Sequence, residues 1–170
     1  MTQGKIGIDI GGVIIDRERN DNSDTSLFGT NYLNAFAVPS ALEAIAEINK
    51  KFFPNEAYII SKCGANIERK SREWLKHNGF YQMTGMTEDK VHFCRARSDK
   101  APIAQKLGLT HFIDDKYEVL GYMKDIVKNR ILFNPDLGEM KKTGPVGPVI
   151  PIFSWTDVLY YLNEESVPRA

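Results

Sequence analysis

Apolar residues fall in short, separated runs along this chain. "IGIDI" begins at Ile6, "AYIIS" ends at Ser61, "VHFC" ends at Cys94, "HFIDD" ends at Asp115 and "RILF" ends at Phe133. These runs are rich in β-branched and aromatic residues and nearly all apolar. That pattern suits strands covered on both faces. "VIPIF" is a sixth, less regular candidate. Helical spacing fills the gaps. Ser40 and Glu43 have the capping-box relation, Leu42, Ile45 and Ala46 follow at helical intervals, and Pro54 stops a helix predicted near 40–52. A second helix, 66–78, carries Ile67, Trp74 and Leu75 on one side and ends at Gly79. Asp99 is placed to cap a third through Leu107, closed by Gly108, and a fourth is expected around 118–127. "SWTDVLYYLNEE" opens the last with Ser-x-x-Asp, burying Val158, Leu159 and Leu162.

Strands that alternate with helices predict right-handed βαβ units. The expected fold class is α/β: a three-layer α/β/α Rossmann-like domain whose central, mainly parallel sheet has five or six strands. A single domain over 1–170 is expected. Residues 17–35 are polar and aperiodic and read as a flap, and 136–148 read as a Gly/Pro-rich loop. In such sheets ligands bind outside the carboxyl ends of the strands. Asp9, Ser61, Asp114 and Asp115 all fall at predicted strand C-termini.

Lys plus Arg equal Asp plus Glu at 22 each, so no net field steers the chain toward nucleic acid or a membrane surface. No stacking-aromatic platform suggests nucleic-acid binding, and no apolar run approaches the roughly 20 residues of a membrane span. The first strand begins almost at once, so no secretory signal is expected. Cys63 and Cys94 match no zinc spacing and read as reduced thiols in a cytoplasmic setting. His77, His92 and His111 form no pair with metal-ligand spacing, and Trp74 and Trp155 read as core residues.

"GIDIGG" is similar to the first phosphate loop of the sugar kinase and actin superfamily, but Val13 stands where that loop often has Thr, and no second lobe follows residue 30. "IDIGGVIID" also resembles the first motif of the haloacid dehalogenase superfamily, Asp-x-Asp-Gly-(Thr/Val), and here later residues follow in order. Ser61 ends a hydrophobic strand like the second motif, Lys100 opens a helix like the third, and "HFIDD" matches the paired acids of the fourth. Lys106 competes for the third-motif role from a more solvent-facing position.

That resemblance implies a Mg²⁺-dependent phosphohydrolase acting on a phosphorylated substrate through an aspartyl-phosphate. Asp9 would be the nucleophile, with Ser61 donating to phosphoryl oxygens and Lys100 neutralising charge. Asp9, the Gly11 carbonyl, and Asp114 or Asp115 would be the metal ligands. Mg²⁺ takes hard oxygen donors of this kind. The bland alternatives are a turn serine, a solvated lysine and a pair of helix-capping aspartates.

Gly11 departs from the motif. Family phosphatases commonly carry a second aspartate there as general acid and base, help worth about 10²–10⁴-fold. Three outcomes stay open: a preference for good leaving groups, replacement by Asp16 or Glu18 from the flap, or a catalytically weak module that binds Mg²⁺ and phosphate. The dehalogenase branch also lacks the second aspartate but uses no metal, which the paired acids argue against. About forty residues separate Ser61 from Lys100, so no large cap domain is expected. Leu27, Phe28 and Tyr32 mark a local lid, or simply pack the loop.

Overall fold

The computed structural model describes residues 3–17, 26–142 and 148–166. Residues 18–25 of the expected flap, Glu18 among them, and 143–147 of the expected Gly/Pro-rich loop lie outside the described residues.

Six strands form one all-parallel sheet: β1 (Ile6–Ile8), β2 (Ala57–Lys62), β3 (Val91–Cys94), β4 (His111–Asp114), β5 (Asn129–Phe133) and β6 (Val149–Ile152). Their spatial order is β3-β2-β1-β4-β5-β6. β1 is therefore central, and the chain's direction of growth across the sheet reverses beside it. Loops on the two sides of that reversal diverge and leave a crevice at the strand C-termini.

Alternation of side chains explains why each strand reads as a continuous apolar run. Ile6, Ile8, Ile59, Ile113 and Ile131 face one core layer. Tyr58, Ile60, Phe112 and Leu132 face the other. Gly7 takes part by having no side chain, since a Cβ there would lie 2.7 Å from both Leu109 and Phe112. The first layer is closed by α1 (Ala41–Glu47), α2 (Ala65–His77), α3 (Phe80–Thr84) and α7 (Trp155–Ser166), and the second by α4 (Lys100–Leu107) and α5 (Tyr117–Tyr122). A short α6 (Leu137–Lys141) lies beyond β5.

The helix predictions hold in position and differ in detail. α1 continues as a π-turn through Phe52, as the expected span 40–52 requires. The Ser40–Glu43 capping box does not form. Ser40 has φ +65° and makes no side-chain cap bond, because the chain arrives from Pro39 in a left-handed turn. Asp99 sits at the N-cap of α4, but its carboxylate accepts from the Ala96 N–H at 3.0 Å and closes the preceding 3₁₀ turn. α5 stops at Tyr122. The apolar spacing continues to Val127 because Met123 and Val127 are buried from a turn rather than from a helix. Neither α3 nor α6 was expected, as five residues are too few to show periodicity.

Both tryptophans are core residues, as the sequence indicates. Trp155 also reaches the front of the sheet. Its indole N–H donates to the Val13 carbonyl at 2.8 Å, and its ring packs against Phe133. It thereby holds the loop after β1 from the side of α7. Replacing Trp155 with Phe keeps much of the apolar contact but strands that buried carbonyl. Denaturant unfolding should show a loss of about 1–3 kcal/mol. Tyr160→Ala on the exposed face of the same helix should stay within about 0.5 kcal/mol of the wild type.

Candidate active site

Parallel pairing sets the height at which each strand ends. Ile8 of β1 lies opposite Ile113 of β4, and the Asp9 N–H donates to the Ile113 carbonyl at 3.0 Å. The next residues out, Asp9 and Asp114, therefore leave the sheet side by side. On the other flank Ser61 lies near the end of β2. Lys100 is the first residue of α4, after the 3₁₀ turn that follows β3. All six residues expected at the site, Asp9, Gly11, Ser61, Lys100, Asp114 and Asp115, line one cavity of about 430 Å³. Lys106 is exposed on α4 and takes no part.

The Lys100 ammonium donates to Asp9 Oδ1 at 3.0 Å and to Asp114 Oδ2 at 2.6 Å. Lys100 is 2% exposed and Asp114 fully buried. Burial works against charge on Lys100, but the two carboxylates overcome it and hold its pKa above the ordinary lysine value. The second Asp114 oxygen accepts from the Lys116 N–H at 2.9 Å, so both its oxygens are committed. It does not cap α5: the Tyr117 N–H of that helix donates to Glu139 instead.

Asp115 is placed differently. Its Oδ2 meets Arg17 Nη1 at 3.4 Å, while its Oδ1 is buried with no hydrogen-bond partner among the described residues. One carboxylate oxygen each from Asp9, Asp114 and Asp115 lie within 4.8 Å of one another. Burial, then the Asp9 and Asp114 charges, push Asp115 up to about 8. Burial and Asp9 push Asp114 up to about 6, against the pull of Lys100. Among the described residues the three carboxylates make their ion pairs with two cations, Lys100 and Arg17, and one buried oxygen lacks a partner. A hard divalent cation with oxygen preference fits that deficit. Asp9, Asp115 and the backbone at Gly11 would hold it, with Asp114 nearby and tied to Lys100.

The backbone around Asp9 depends on its glycines. Gly12 has φ +78°, and a Cβ there would lie 2.4 Å from Asp115 Oδ2. A side chain at 12 would strain the turn and displace the acid. Gly11 has an ordinary φ, and what a Cβ there would meet is the Arg17 guanidinium, with Nη2 at 2.7 Å. Sequence reasoning passed over Arg17, because its approach depends on the chain turning back over position 11, which no spacing rule reports. Arg97 and Lys116 also line the cavity and were not singled out. Asp16, a suggested replacement acid, lines it as well.

Leu27 and Phe28 border the cavity, and Phe28 is 83% exposed. Tyr32 is turned away onto α2, where its hydroxyl donates to Glu73 and Lys70 lies over its ring. Cys63 lines the cavity with its thiol pushed up by burial, which leaves it poorly nucleophilic. His111 lies at the opposite end of β4 and meets Glu165 of α7 at 2.8 Å.

Among the solved structures that share this fold are two phosphatases. One is D,D-heptose 1,7-bisphosphate phosphatase from B. bronchiseptica, complexed with magnesium and phosphate. It aligns with a TM-score of 0.67 at 14% identity, over 96% of this chain and 100% of that one. The other is D,D-heptose 1,7-bisphosphate phosphatase from Burkholderia thailandensis, with a TM-score of 0.58 at 12% identity, over 97% and 100% of the two chains. At such identities the likeness is one of fold. No family model matches the chain, and no curated protein matches it in sequence.

Two measurements follow from the site's charge. Folded Asp114 and Asp115 bind protons more tightly than the unfolded chain, whose carboxyl value is 3.8. Without metal, their contribution to stability therefore falls as pH rises from about 4 to about 8. Melting temperatures should decline between about pH 6 and about pH 8, above the range where the carboxylates held low elsewhere titrate, Mg²⁺ should raise them more at the alkaline end, and Asp115→Asn should flatten the decline. A metal-free melting temperature that climbs there would contradict this charge assignment. Lys100→Met leaves two buried carboxylates without their cation and should cost about 3–5 kcal/mol near pH 8, less near pH 5, by denaturant unfolding.

Proposed function

We propose that the protein is a Mg²⁺-dependent phosphohydrolase of haloacid dehalogenase type, acting on a phosphorylated substrate through an aspartyl-phosphate on Asp9. The observation that carries this reading is the convergence of Asp9, Lys100, Asp114 and Asp115 on one cavity at the C-terminal edge of a parallel sheet. The fold shared with two sugar-bisphosphate phosphatases, one of them complexed with magnesium and phosphate, supports it.

In this reading Asp9 attacks phosphorus with the carboxylate oxygen that Lys100 does not hold. Lys100, clamped on both sides, fixes the carboxylate's rotamer and offsets negative charge as the phosphoryl group approaches. Ser61 faces the transferred group from β2 and donates its hydroxyl to a phosphoryl oxygen. Asp114 positions Lys100, and Asp115 offers its unpaired oxygen to the cation. When bound, Mg²⁺ supplies the charge that lets a carboxylate approach a phosphate dianion.

Access is open. Between β1 and β2 the described residues hold the loop 26–38 and α1, and between β2 and α4 they hold α2, α3 and β3. Neither stretch forms a separate cap domain among the described residues. A capless site of this kind suits a phosphate carried on a larger body.

A second reading, a Mg²⁺- and phosphate-binding module with little turnover, is favoured by one observation: no carboxylate projects from position 11, and a guanidinium fills that space. The two readings separate on a panel of phosphoesters assayed with Mg²⁺. The first expects measurable turnover that EDTA removes and that Asp9→Asn lowers by at least about 10³-fold. Unchanged activity in Asp9→Asn would refute it. Binding of Mg²⁺ and phosphate without turnover, with hydrolysis emerging only in Gly11→Asp, would establish the second.

A further inference from the structure

The Arg17 guanidinium lies over Gly11 at the mouth of the cavity that Asp9 lines. Arg17 Nη2, Nε and Cζ lie 2.7, 3.2 and 3.4 Å from the point where a Cβ on residue 11 would stand. The guanidinium as placed and a side chain at position 11 would compete for one space, and the flexible, exposed arginine would have to yield. We propose that Arg17 is the leaving-group cation of this site, stabilising the departing oxygen in the space a side chain at position 11 would occupy. The inference rests on the phosphohydrolase reading and adds a substrate class: phosphoryl groups on acidic leaving groups, such as aryl esters, acyl phosphates and phosphoanhydrides.

Among the described cations that line the cavity, Arg17 is the one placed over Gly11 and beside Asp115. Lys100 is enclosed between Asp9 and Asp114. Arg97 is bound to Glu118 at 2.7 Å. Arg17 holds Asp115 Oδ2 at 3.4 Å, longer than the usual 2.7–2.9 Å or so of a charge-assisted bond. Its side chain is 57% exposed, and it lines the same cavity as Asp9. A divalent cation held by Asp115 would offset that carboxylate's charge, and the guanidinium would then be free to face an incoming anion.

A guanidinium keeps its proton at any working pH, so it lends charge and hydrogen bonds but performs no acid catalysis. As the bond from the Asp9 oxygen to phosphorus forms, the bond from phosphorus to the leaving oxygen breaks. The electron pair departs with that oxygen. The oxygen remains an anion against Arg17 and takes its proton afterwards from water. An acidic alcohol, an acyl group or a phosphate bears that charge well, whereas an alkoxide does not.

The test compares kcat/KM of the intact, Mg²⁺-loaded protein across aryl phosphates of graded phenol acidity and one alkyl phosphate. Wild type should decline steeply as the leaving alcohol becomes more basic. Arg17→Ala should lose about 10-fold on the nitrophenyl ester, widening to about 10²–10³-fold on the most basic leaving groups. Arg17→Lys should recover part of this. Gly11→Ala, whose new methyl displaces the guanidinium, should follow Arg17→Ala. A loss uniform across the series, or a Gly11→Ala variant identical to wild type, overturns the proposal. Orthovanadate binding by calorimetry in Mg²⁺ decides it without turnover. Arg17→Ala should weaken binding about tenfold, and unchanged affinity rejects the role. Activity surviving in Asp9→Asn would instead reject the aspartyl-phosphate reading, and the vanadate comparison would still decide for or against Arg17.

Discussion

One ammonium group organises the front of this molecule. Lys100, buried between Asp9 at 3.0 Å and Asp114 at 2.6 Å, joins the end of the central strand to its neighbour and to the first turn of α4. Taking these three charges out of water is expensive, and the mutual attraction only offsets that cost. The arrangement is therefore poorly explained as a source of stability. Its effect is to hold one carboxylate oxygen of Asp9 fixed and to leave the other uncommitted at the floor of a cavity. The register of β1 on β4 puts Asp9 and Asp114 side by side, so the clamp follows from backbone pairing.

Around that clamp the charges nearly balance, and the imbalance has a location. Asp115 carries a buried oxygen without a partner, and its other oxygen has a long contact to Arg17. Its raised pKa expresses the same deficit: too much negative charge in too little water. A divalent cation there would settle the carboxylates and free the guanidinium. The absence of a side chain at position 11 is thus tied to Arg17. What occupies the space beside Gly11 is a guanidinium, which holds charge and does not release its proton at working pH.

The fold was legible because the sheet is parallel. Strands buried on both faces must be apolar throughout, so Ile59, Ile60, Ile113 and Phe112 announced themselves, as did Trp74 and Leu75 at helical spacing. The convergence of the acids and Lys100 on one edge was legible for a related reason: polar side chains at the C-terminal ends of neighbouring parallel strands come out side by side. Other details depended on contacts the sequence does not carry. Ser40 reads as a cap, yet its backbone enters α1 left-handed. Asp99 reads as a helix cap, yet it serves the turn before. Arg17 reads as one charge in a polar flap. Its meaning appears only when the chain folds back and its guanidinium covers Gly11. Local patterns encode periodicity and caps, while a long side chain crossing a loop is fixed by tertiary packing alone.

The most direct measurement is a crystal structure of the protein with Mg²⁺ and beryllium fluoride, which mimics a phosphoryl group on a carboxylate. Trifluoroberyllate density should be continuous with the Asp9 carboxylate, with Lys100 and Ser61 on its fluorines and a cation shared by Asp9 and Asp115. An Asp9 carboxylate left bare under saturating reagent, or a cation bound away from Asp9, would contradict the role assigned to Asp9.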